Sequence, residues 1–105
     1  MEEALEDRRR AALMALLCAG ISPPPTKAQM VEALAAARRS VASHRSRHQP
    51  LDAWLRSEEH GQGMRENAAV LAALEIPELR DEVAARYVQA HPERQVEIDA
   101  LLEVL

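Results

Sequence analysis

The stretch TKAQMVEALAAARRSVASH, residues 26–44, decides the fold class. Met30, Leu34, Ala37, Val41 and His44 recur at alternating spacings of four and three, which keeps them on one side of an α-helix as a heptad seam. His48, Leu51 and Leu55 continue the series past Pro50. Between them stand Ala, Glu and Arg, all good helix formers. Thr26 and Gln29 have the spacing of a capping box, in which each side chain satisfies the other residue's free backbone amide. Ala33, Ala35 and Ala36 flank the seam and are small, so a second helix can approach closely. Pro50 ends or bends this helix and leaves residues 51–57 as a short helical piece carrying Trp54.

Working toward the start of the chain, residues 22–25 hold three consecutive prolines and form a stiff connector. Before it, a first helix is predicted over residues 3–19, with acids in its first turn and Gly20 as its stop. Leu5, Ala12, Leu13, Leu16 and Leu17 make one stripe, which Met14 and Cys18 widen. A helix this apolar in its second half needs cover on more than one side. Isologous pairing of two chains is one way to supply it, with Leu13, Leu16 and Leu17 of the first helix and Met30, Leu34 and Val41 of the seam as the dimer interface.

Toward the other end, residues 58–63 are polar, hold two glycines and read as a loop. Helices are predicted over 64–74 and 77–91, the latter with Pro77 at its first position. Pro92 either starts a last helix or kinks a continuous one. Residues 98–105 are too apolar to be left in water, and residues 68–74 are almost wholly apolar and belong in a core. That last feature argues against a DNA-reading helix-turn-helix, whose recognition helix must be polar. The sum is a single all-α domain over residues 1–105, a small helical bundle with two longer helices and several short ones.

Composition narrows the function. Among 105 residues Phe is absent, Trp54 and Tyr87 are the only aromatics, and the formal charge is −4. That charge disfavours a protein whose main task is coating DNA, because phosphate neutralisation drives such binding. Cys18 is the sole cysteine, so no intrachain disulfide forms, and the cytosol is the expected compartment. No apolar run reaches the roughly 20 residues of a membrane-spanning helix. The longest, residues 11–21, follows Arg8, Arg9 and Arg10 as a secretory signal would, but the acids before it and the prolines after it favour a helix inside the fold.

Candidate chemistry is sparse. His44 and His48 have the spacing at which two imidazoles share a metal, yet no nearby acid or Cys completes a set of ligands. His60 and His91 stand alone. Ser40, Ser43, Ser46 and Cys18 lack a base and an orienting group, and Gly61 and Gly63 follow no strand. The expectation is a protein without catalytic residues, cofactor or metal. The one concentrated basic stretch, Arg38, Arg39, His44, Arg45, Arg47 and His48, is a solvated helix face or a contact for an acidic protein surface or nucleic acid.

Arg86, Tyr87, Val88, Gln89 and Ala90, followed by Glu93, Glu97, Ile98, Ala100 and Leu101, resemble the C-terminal helix of the TraM anti-activators. Pro24, Pro25 and Thr26, opening a long helix with Gln29 and Val31, are also similar to that family. Pro92 departs from its pattern by interrupting what is there one long helix. TraM-like proteins, and the functionally related QslA anti-activator, are small helical dimers that bind LuxR-type quorum-sensing regulators and block their action on DNA. The resemblance implies that this chain sequesters such a regulator and prevents its dimerisation or DNA binding. The contacts expected on the last helical segment are Tyr87, His91, Arg94 and Ile98, since Tyr and Arg are favoured at energetic hot spots. Two other readings are a nucleic-acid-binding module using residues 38–48 and a phage- or plasmid-encoded inhibitor of a host defence system.

Overall fold

A computed structural model describes residues 2–55 and 63–105. The described residues form six α-helices and no strand: α1 Glu2–Leu17, α2 Lys27–Ser46, α3 Leu51–Leu55, α4 Met64–Leu74, α5 Pro77–Ala90 and α6 Gln95–Val104. A tight single turn, Pro92–Arg94, joins the last two. The all-α reading holds. The loop read at 58–63 lies outside the described residues except for Gly63.

Local chemistry sets the boundaries. Thr26 caps α2 through the capping box, its hydroxyl accepting from the Gln29 amide at 3.2 Å while the Gln29 side chain accepts from the Thr26 amide at 2.9 Å. At the other end of α2, His48 adopts a left-handed backbone with φ 55°, and Pro50 follows two residues later. His44 and His48 therefore do not share a helix face: His44 stays in α2 and His48 lies beyond it. Pro77 occupies the first turn of α5, where its missing N–H costs nothing. Pro92 starts a new element rather than kinking a continuous helix.

The core is organised around α4. Every residue from Asn67 to Leu74 is buried, so this helix is covered on all sides by α2, α5 and α1. Ala68, Ala69, Ala72 and Ala73 keep it thin, which allows close approach of the neighbouring helix axes. Helix α2 presents Met30, Leu34, Ala37 and Val41 to it, as the heptad spacing requires. Antiparallel to α1 runs α6, with Arg8 paired to Glu103 at 3.2 Å and Arg9 donating to the Val104 carbonyl.

This packing corrects the dimer reading at the residue level. Leu16, Leu17, Met30, Leu34 and Val41 are buried within one chain and Leu13 is half-buried against the same core. The cover that the seam demands comes from α4 of the same molecule, because α4 is apolar all round. Five of those six residues are core of one chain, and Leu13 stands half-buried at its edge.

Candidate functional site

The segment that carried the family resemblance builds an internal polar hub. Tyr87 on α5 is 5% exposed and Ile98 on α6 is 1% exposed. Arg94 is largely covered as well. The hub centres on Asn67 of α4, which is 0% exposed. Its side-chain N–H groups donate to the Ala19 carbonyl at 3.1 Å and the Leu17 carbonyl at 3.4 Å. Its oxygen accepts from the Tyr87 hydroxyl at 2.7 Å and from Arg94 Nη1 at 3.2 Å. Arg94 also donates to the Tyr87 hydroxyl, and its guanidinium carbon lies 5.6 Å from the Tyr87 ring centre.

Gly20 belongs to the same arrangement. Its φ of 74° is one that side-chain-bearing residues rarely adopt, and a Cβ there would collide with the Arg94 guanidinium. The hub thus joins the end of α1 to α4, α5 and the turn before α6. Burial raises the Tyr87 pKa above the ordinary phenol value, and Arg94 opposes that rise only in part.

His91, at the outer edge, is the most accessible of the four expected contacts. Its ring lies 5.0 Å from that of Tyr87, and its nitrogens stand 3.5 Å from Glu66 and 3.4 Å from Glu93. Glu93 is held below the usual carboxylate range, first by its own backbone N–H, opposed by desolvation, and then by His91 and Arg94. Tyr87 and Ile98 are not surface anchors in this fold; they hold α5 and α6 in place. Sequence reasoning missed Asn67, the only polar residue in the buried run 67–74.

Beside its exposed polar residues, the last segment also exposes large apolar side chains. Val96 is 76% exposed, and Leu102 on the same helix and Leu5 and Met14 on α1 are exposed too. With Val31 on α2 they are the exposed large hydrophobic side chains among the described residues. Four of the five sit on the α1–α6 pair.

The basic stretch divides into two sets. Arg38 makes a bidentate pair with Glu75 at 2.7–3.2 Å, and Arg45 reaches Glu78 at 4.0 Å. Arg39 and Arg47 make no ion pair among the described residues. They line a cleft of about 760 Å³ between α2 and α3, together with Ser40, Ser43, His44 and Trp54. Trp54 Nε1 donates to the Ser40 hydroxyl at 2.6 Å, and His44 Nε2 donates to the Pro50 carbonyl at 2.7 Å. These two bonds fix α3 against α2 and so fix the cleft's walls.

Among the described residues no three His, Cys, Asp or Glu side chains come together as a metal site, and no helix is long and apolar enough to cross a membrane. The chain matches no protein-family model, no curated protein and no solved structure.

Proposed function

We propose that this chain is a protein-binding inhibitor that sequesters a LuxR-type transcription regulator and keeps it from its DNA, docking through α1 and α6. The observation that carries the reading is that four of the exposed large apolar side chains among the described residues, Leu5, Met14, Val96 and Leu102, belong to these two helices. Single exposed hydrophobics are ordinary on any surface, so what favours these two helices is the number of such side chains they carry, spread round both, rather than one continuous patch. The resemblance of residues 86–101 to the TraM anti-activators names the class of partner. Inhibition follows from occupancy, since a regulator surface covered by this helix pair is closed to its own second subunit or to DNA. The protein then works in the cytosol beside its regulator, without cofactor or turnover. A second copy of the chain would use the same helices, because the seam residues are already spent inside the fold.

The test is a mobility-shift titration with a LuxR-type regulator bound to its promoter. Rising amounts of the wild-type chain should abolish the shifted band and produce none with DNA alone. Val96→Glu combined with Leu102→Glu alters only exposed positions, so the fold should persist by circular dichroism while the inhibitory concentration rises at least about tenfold. A wild-type chain that leaves the regulator's band untouched, or that shifts the DNA itself, refutes the proposal.

A further inference from the structure

We infer that the cleft between α2 and α3 is a second binding site, built for an acidic helical segment of a partner protein. Arg39 and Ser43 stand four apart on α2 and Arg47 is its C-cap residue, so the backbones of the two arginines lie about 12 Å apart along the helix. Two arginines whose backbones are spaced in this way suit carboxylates about two turns apart on another helix. Both arginines are exposed and, among the described residues, make no ion pair, whereas Arg38 and Arg45 on the same helix are paired with Glu75 and Glu78. Bidentate pairing of a guanidinium with a carboxylate makes such a contact directional as well as attractive.

The cleft adds donors between the two charges. Ser40 accepts from Trp54, which leaves its own O–H to donate, and Ser43 presents a second hydroxyl beside it. Charge decides between an acidic protein segment and nucleic acid. Two free arginines neutralise too few phosphates to hold a polyanion against a chain of net charge −4, while they suffice for two carboxylates. This site lies on elements other than α1 and α6, so it stands or falls separately from the proposed inhibitory contact.

Trp54 is the chain's only tryptophan and lines the cleft, so its fluorescence reports occupancy directly. The probe is an alanine-based helical peptide with pairs of Glu eight residues apart, with a Lys-for-Glu peptide as control. The Glu peptide should change the Trp54 emission saturably and the Lys peptide should not. Arg39→Glu with Arg47→Glu should weaken binding at least about tenfold, while Arg10→Glu, an exposed α1 position, should leave it unchanged. A double variant that binds the Glu peptide as well as wild type overturns the inference, as does a wild-type chain that ignores it. Tighter binding of a DNA duplex than of the peptide, at the same salt, overturns it in favour of nucleic acid.

Discussion

Asn67 uses its full hydrogen-bonding capacity: two N–H donors on the Leu17 and Ala19 carbonyls and two lone pairs on Tyr87 and Arg94. The two carbonyls belong to the end of α1, where a helix runs out of internal donors, so Asn67 caps one helix from the middle of another. Asn67→Ala removes every one of these bonds at a buried point and should cost about 2–4 kcal/mol in urea unfolding. Tyr87→Phe keeps the ring and leaves Asn67 its bond to Arg94, so its cost should be smaller, about 1 kcal/mol. Equal losses for the two variants would show that the Tyr87 hydroxyl carries the whole effect and that the amide's other bonds add nothing. The raised pKa of Tyr87 gives a further check. A phenol whose pKa is higher in the folded state stabilises the fold below the unfolded value of about 10, and that contribution disappears as pH rises through the folded value. The phenolate absorbance of this sole tyrosine should therefore titrate above the midpoint of free tyrosine and fall back to it in urea. A folded-state midpoint at or below the free value would contradict the buried placement.

At the scale of elements, spacing carried most of the information. Helix α4 and the start of α5 fall where residues 64–74 and Pro77 put them, because a short alanine- and leucine-rich run and a first-turn proline have few other uses. The capping box at Thr26 is a local interaction complete within four residues, so it was legible without the fold. A seam, by contrast, states that cover is needed and not which chain gives it. The choice between a second molecule and α4 depends on packing across the loop, which no periodicity encodes. The same holds for Tyr87 and Arg94: their types suit an interface or an interior, and only the position of Asn67 opposite them selects the interior. The basic stretch was legible as charge, but its division into paired and free arginines rests on Glu75 and Glu78, more than thirty residues away along the chain. Leu34→Asp separates the two accounts of the seam. With α4 as the cover, a buried carboxylate should abolish the cooperative thermal transition outright. A well-folded monomer from that variant would restore the seam to an intermolecular role.

The described residues share one continuous buried cluster, running from Trp54 at the α2–α3 junction through α4 to Tyr87, Ile98 and Val104. Nothing in that cluster divides the described residues into parts that could unfold separately. Every helix of eight or more residues lends it buried side chains, and Asn67 ties α1, α4, α5 and the turn before α6 through hydrogen bonds that break together. Small domains built this way unfold in a single step, and the signature of such a step is coincidence between probes that watch different places. The chain offers two natural probes at separate positions: Trp54 fluorescence reports the α2–α3 cleft and Tyr87 absorbance reports the hub. In a urea titration both should trace the same midpoint and slope as the helical circular dichroism signal. If Trp54 is released at lower urea than Tyr87, α3 is a separately melting flap rather than a fixed wall. The cleft would then lack the rigidity that positions Arg39 and Arg47 for a partner helix.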